Sequence, residues 1–207
     1  MIVVHHLNNS RSQRILWLLE ELGTPYEIAR YQRLATRLAP PELKAVHPLG
    51  KSPVITDGGR TVAESGAITD YLIETYGDGR FAPARGTDDW WRYVQWLHFA
   101  EGSAMTPLLL ALYAGMLGEA AAPLRPRITE QIAAHLAFMA GELGDRGFFV
   151  GDDLTGADIL LTFVLEVSRP RGGLDAHPNL AAYLDRMHAR PAYQRALEKG
   201  GEYEILR

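Results

Sequence analysis

Cysteine is absent from the 207-residue chain. A disulfide framework, a thiolate-ligated metal and a protein thiol nucleophile are therefore all excluded. A strong charge of either sign is missing as well: 21 basic side chains face 25 acidic ones, for a formal net charge of −4. That balance leaves no basic footprint, so nucleic acid and an anionic membrane are set aside as partners. Long hydrophobic runs are lacking too. The strongest, residues 107–117 and 159–167, fall short of the roughly 18–20 apolar residues that a bilayer span needs. The N-terminus has neither the basic nor the apolar region of a secretory signal, and a cytoplasmic protein is expected. None of the seven histidines falls in an HExxH pattern, and no glycine-rich phosphate loop or Gly-x-Ser-x-Gly elbow occurs. His5 and His6 adjoin in a strand and point to opposite faces, so no metal is expected.

What is present is an ordinary globular composition, 47% hydrophobic and 22% charged, long enough for one large domain or two small ones. Residues 2–7 form a β-branched run that fits a buried strand. Residues 11–22 follow, with Ile15, Leu16, Leu18, Leu19 and Leu22 on helical spacing; Gly23 stops this helix and Pro25 prevents its continuation. Residues 26–31 are a second strand, so the two strands joined by one helix should be parallel. A weak helix opens at Pro40-Pro41. Residues 52–56 and 60–63 are short strands joined by the Asp57-Gly58-Gly59 turn, and residues 65–76 form another helix. The order β-α-β-α-β-β-α predicts a small mixed sheet covered by helices over residues 1–78. Residues 79–88 read as a linker. Beyond them, residues 90–114, 126–143, 157–167 and 179–197 carry helical periodicity, so an all-α domain is expected over 89–207.

Three segments carry candidate chemistry. Asn8-Asn9-Ser10-Arg11-Ser12 lies between the first strand and the first helix. Its plain role is a helix cap, Asn9 or Ser10 accepting an unpaired N–H; its functional role would be to hold an anion or thiolate at the positive helix end. Lys51-Ser52-Pro53 stands at a strand entrance, either as a rigid turn or, with Pro53 cis, as an exposed backbone edge that pairs with an extended peptide ligand. Glu64-Ser65 opens the third helix, either as a cap with a dipole-compensating acid or as a grip on an α-amino acid head group. There the Ser65 hydroxyl and N–H would meet a carboxylate and Glu64 an ammonium. Thr155-Gly156-Ala157-Asp158 has the form of a capping box and is read as structural.

The order of these motifs resembles the cytosolic glutathione transferases. It is carried by Ser-x-x-x-Arg at the first helix, His-Pro-Leu-Gly-Lys-Ser-Pro-Val at residues 47–54, and Glu-Ser-x-x-Ile at residues 64–68. The second half agrees through residues 93–103, 149–158, 178–180 and 190–193, and the start looks closest to a Ser-type subgroup of bacteria and fungi. The resemblance implies a thioredoxin-like domain followed by an all-α domain, a homodimer, and glutathione as co-substrate beside a small electrophile. Glu64 and Ser65 are implied for the γ-glutamyl end, Ser52 before a cis Pro53 for the cysteinyl backbone, and Lys51 for the glycyl carboxylate. Ser10 is implied as the hydroxyl that donates to the sulfur, with Asn8, Asn9 and Arg11 as the alternatives. Many relatives have Val where Ser52 stands, which matters little if that contact runs through the backbone. Phe99, Met105 and Tyr113 are candidates for the wall of an electrophile pocket, core packing being their plain role. The implied activity is a transferase that attacks an electrophile with the glutathione thiolate. The alternatives are a peroxidase or dehalogenase on the same site, or a non-catalytic binding or scaffold protein.

Overall fold

The computed structural model describes residues 1–206. Two compact units emerge, Met1–Ala82 together with His188–Ile205, and a second beginning at Pro83 and running to Met187. In the first unit the elements are β1 (Ile2–Leu7), α1 (Ser12–Leu22), β2 (Tyr26–Tyr31), α2 (Leu43–Val46), β3 (Val54–Asp57), β4 (Arg60–Ala63) and α3 (Ser65–Tyr76). The sheet order is β2-β1-β3-β4, with β1 and β2 parallel and the other two pairs antiparallel. This is the thioredoxin-like arrangement expected from the motif order. The parallel pair needs a crossover, and α1 supplies it. The β3–β4 hairpin closes on Gly58 and Gly59 at φ 54° and 85°, a backbone that glycine adopts without strain. Gly23, at φ 70°, ends α1 in the left-handed conformation.

Helix α1 is buried nearly all round: Ile15, Leu16, Trp17, Leu18 and Leu19 are each at most 1% exposed. One face meets β1 and α3, and another is covered by α9 (Pro191–Gly200). The periodicity of residues 179–197 suggests one helix belonging to the helical domain. Instead α8 (Pro178–His188) stops, Arg190 is extended at ψ 131° ahead of Pro191, and α9 starts afresh against α1. A residue before proline is pushed out of the helical region, which explains the break. Ion pairs then fix α9: Arg190 to Glu21 at 2.6 Å, and Arg195 and Lys199 to Glu20 at 2.9 and 2.5 Å. The Trp17 and Tyr193 rings meet edge to face at 5.3 Å.

The second unit is helical. Helix α4 (Asp88–His98), a π-helical segment (Phe99–Ala104), α5 (Met105–Leu117) and a 3₁₀ turn (Gly118–Ala121) form one uninterrupted stretch, followed by α6 (Arg125–Leu143), α7 (Gly156–Ser168) and α8. The 34-residue stretch Asp88–Ala121 is long and apolar enough, by length and composition, to cross a bilayer, although no single unbroken run in the sequence is; a third of its most apolar window (33%) is buried. Helix α7 is the core element, buried along almost its whole length. Its start is the expected capping box. The fully buried Asp158 carboxylate accepts from the Thr155 N–H and hydroxyl at 2.9 and 2.8 Å, the Phe149 N–H at 3.0 Å and the Tyr183 hydroxyl at 2.9 Å. Burial nonetheless pushes its pKa above the ordinary carboxylate value.

Candidate functional site

The sheet register brings the three candidate segments to one end. His5 of β1 faces Val54 of β3, and Val54 faces Ala63 of β4. Ser52-Pro53, just before Val54, and Glu64-Ser65, just after Ala63, therefore stand beside one another where β1 runs out into Asn8-Asn9-Ser10. Residues scattered over more than fifty positions share one rim because two antiparallel pairings place them there.

The Ser52–Pro53 peptide bond is cis. The Ser52 hydroxyl donates to the His5 carbonyl at 2.8 Å and accepts the Leu7 N–H at 3.3 Å, so its side chain is spent on β1. Pro53 is buried and Lys51 is exposed. Glu64 rather than Ser65 occupies the flanking position of α3, at φ 72° and ψ 127°, and its carbonyl accepts the Ile68 N–H at 2.9 Å. Ser65 is the first helical residue and only 4% exposed. A glutamate at positive φ costs about 1–3 kcal/mol, and such residues persist where the surroundings hold them, often at ligand sites. The exposed Glu64 side chain thus stands on a backbone that a glycine would adopt more readily.

The β1–α1 turn is fastened from several sides. Asn9 lies at φ 51°. Its amide donates to the Glu204 carboxylate at 3.0 Å and its carbonyl oxygen accepts the Glu204 N–H at 2.6 Å. The Arg33 guanidinium donates to the Asn8 and Asn9 backbone carbonyls at 3.2 and 3.1 Å. Arg11, not Asn9 or Ser10, precedes α1 and makes no side-chain cap. Ser10 is 5% exposed; its hydroxyl oxygen accepts the Ser12 N–H at 3.2 Å and lies 2.8 Å from Ser12 Oγ. Ser12 Oγ is in turn 2.8 Å from His6 Nδ1. Burial, then the charge of Arg30, lowers the His6 pKa to about 4, so its ring is neutral at physiological pH. His5 points the other way, its Nδ1 3.1 Å from the Tyr31 hydroxyl. The alternation of His5 and His6 was readable from the strand; the contact of His6 with Ser12 depends on how α1 returns over β1.

The pocket candidates belong to the helical unit. Phe99 sits in the π-helical segment among aromatic rings, 5.1 Å from Trp96, 5.4 Å from Phe138 and 5.7 Å from His135. Met105 is 5% exposed, whereas Tyr113 is 54% exposed. Among the described residues, no group of three or more His, Asp or Glu side chains could hold a metal.

A mixed four-stranded α/β unit joined to a helical unit is the architecture of the cytosolic glutathione transferases. The sequence agrees: the glutathione S-transferase N-terminal domain matches residues 1–74 and the C-terminal domain residues 90–191. The chain is 33% identical over 214 aligned positions to glutathione S-transferase 3 of Schizosaccharomyces pombe, covering 96% of this chain and 88% of that one. A crystal structure of a glutathione S-transferase from Actinobacillus pleuropneumoniae superposes with a TM-score of 0.87 at 39% identity, over 100% of this chain and 96% of the other. A sphingomonad glutathione S-transferase solved in complex with glutathione gives 0.79 at 28% identity, over 96% and 98%. The chain belongs to the glutathione S-transferase family.

Proposed function

We propose that this chain is a glutathione transferase of the Ser type, in which Ser10 steadies the glutathione thiolate for attack on a small hydrophobic electrophile. The observation that carries the reading is the meeting of the β1–α1 turn, Ser52-Pro53 and Glu64-Ser65 at one end of the sheet, with Glu64 held at positive φ. Glutathione is the co-substrate. Its γ-glutamyl head group would meet Ser65 and Glu64, its cysteinyl backbone Ser52 ahead of Pro53, and its glycyl carboxylate Lys51. The involvement of the Ser52 side chain with β1 leaves its backbone as the group to offer.

The chemistry follows from the ligand's thiol. A thiol with a pKa of about 8.5 is only a few per cent ionised at neutral pH, so a donor to S⁻ raises the supply of nucleophile. Ser10 acts as that donor, not as a base, and the first turn of α1 adds a partial positive charge. Asn9 and Arg11 are the alternative donors; the Asn9 amide is already engaged by Glu204, which favours Ser10. With no cysteine in the chain, a mixed disulfide between protein and glutathione is excluded. Phe99, Met105 and Tyr113 are proposed for the electrophile's surroundings. The ligand-binding domain is taken as residues 1–78 with a linker to 88 and a helical domain thereafter, and the protein as a cytoplasmic homodimer.

Assays with a chlorinated nitroaromatic and an organic hydroperoxide, run side by side with glutathione, test the reading. Turnover of the aromatic supports the transferase; turnover of the hydroperoxide alone makes the protein a peroxidase. Glutathione binding with turnover of neither would overturn the enzyme and leave a binding protein.

A further inference from the structure

His6, Ser12 and Ser10 form a buried polar line of which the transferase reading uses only Ser10. Their exposures are 3%, 0% and 5%, and the two links, Nδ1 to Oγ and Oγ to Oγ, are 2.8 Å each. Ser12 has a single hydroxyl hydrogen and three acceptors around it: His6 Nδ1, Ser10 Oγ and, at 3.3 Å, the Leu7 carbonyl. A neutral imidazole owns one N–H, and a ring that keeps it on Nε2 leaves Nδ1 bare. The Ser12 hydroxyl supplies the hydrogen that this buried nitrogen needs. The Ser10–Ser12 link must then carry the hydrogen of Ser10, so the polarity runs from Ser10 to Ser12 to His6.

That direction matters for a ligand sulfur. Ser12 cannot turn its hydrogen elsewhere without stranding a buried nitrogen, which is costly. Ser10 can turn its own hydrogen outward and leave behind nothing but an oxygen lone pair, while the Ser12 N–H keeps its oxygen in place. We propose that Ser12 and His6 are positioning residues, which hold Ser10 as the free end of the line so that its hydrogen alone is released toward a bound thiolate. No covalent step is involved: the hydrogen stays on Ser10 Oγ and exchanges a neutral acceptor for an anionic one, a stronger bond. The proposal rests on the assignment of Ser10 as thiolate donor.

Ser12→Ala, Ser12→Thr, Ser10→Ala and the Ser10→Ala/Ser12→Ala double variant test it, read by kcat, by KM for glutathione, and by the ultraviolet thiolate absorbance of bound glutathione against pH. Ser12→Ala should lower kcat about five- to ten-fold, as loss of one hydrogen bond to a reacting group does, with KM for glutathione changed less than about two-fold. Its thiolate titration should move to higher pH, Ser12→Thr should return it, and Ser12→Ala should add nothing in the Ser10→Ala background. A titration unmoved by Ser12→Ala but moved by Ser10→Ala overturns the positioning role alone. One unmoved by Ser10→Ala removes the assignment of Ser10, and the positioning role falls with it. Should Ser12→Ala not fold, the ring nitrogens of the ¹⁵N-histidine-labelled native protein give the answer, with His6→Asn identifying the signal. A neutral Nε2–H ring is expected at neutral pH, and a neutral Nδ1–H ring contradicts the wiring.

Discussion

The Ser52 hydroxyl donates to the His5 carbonyl at 2.8 Å and accepts the Leu7 N–H at 3.3 Å, bridging the last turn of pairing between β3 and β1. The side chain is therefore structural and the backbone is what remains for a ligand. Ser52→Ala should lower stability by about 1–2 kcal/mol, since two backbone groups lose a partner, yet leave KM for glutathione nearly unchanged. Urea unfolding and steady-state kinetics on the same variant check both halves; a large rise in KM would place the hydroxyl itself on the ligand.

Glu64 ties stability to binding in the opposite sense. At φ 72° a glycine sits without strain, whereas a residue with a Cβ, glutamate or alanine alike, is strained. Glu64→Gly should be more stable than Glu64→Ala by about 1 kcal/mol, and both should bind glutathione more weakly than the native chain. Thermal unfolding with and without glutathione separates the two effects.

Glu20 anchors α9 through Lys199 and Arg195. Burial pushes its carboxyl pKa up, but hydrogen bonds from Lys199, Arg195 and Tyr26 outweigh this and hold it below the ordinary value of 4.5. A folded-state pKa below the unfolded one means that the contribution is complete above the unfolded value and is lost as pH falls through the folded one. Glu20→Gln should cost about 1 kcal/mol at neutral pH, its partners being half exposed. Unfolding measured down the acid range should show the gap to the native chain closing as Glu20 protonates.

Asp158 is fully buried and accepts from four groups on Phe149, Thr155 and Tyr183. Asp158→Ala should destabilise by about 3–4 kcal/mol, because several buried donors are orphaned together. Its pKa is raised, so the carboxylate's own ionisation works against folding as pH rises from the unfolded value through the folded one. The native chain should accordingly be more stable where Asp158 is protonated than this one group's neutral-pH state allows, which a pH series on Asp158→Asn isolates by comparison.

The fold was legible wherever periodicity and punctuation agreed: Gly23 and Pro25 after α1, Asp57-Gly58-Gly59 between β3 and β4, and Thr155 with Asp158 at the head of α7. Pro191 was visible too, yet the helical spacing on either side of it masked the break between α8 and α9, and the packing of α9 on α1 depends on ion pairs over about 170 positions that no local pattern records. The candidate site was legible as three motifs in order. Their meeting at one sheet end follows from register, but the assignment of caps did not: Arg11 and Glu64 hold the flanking positions expected of Asn9 or Ser10 and of Ser65. The contact between His6 and Ser12 is not legible in the sequence, because a buried contact between a strand and the helix above it leaves no signature in spacing.

Whether Ser10 steadies the thiolate of bound glutathione is tested most directly by a pH titration of that thiolate by ultraviolet absorbance. The native protein should show ionisation well below the free-thiol value of about 8.5, and Ser10→Ala should return the midpoint toward it while glutathione still binds. A midpoint at the free value in the native protein, or one that Ser10→Ala leaves in place, would contradict it.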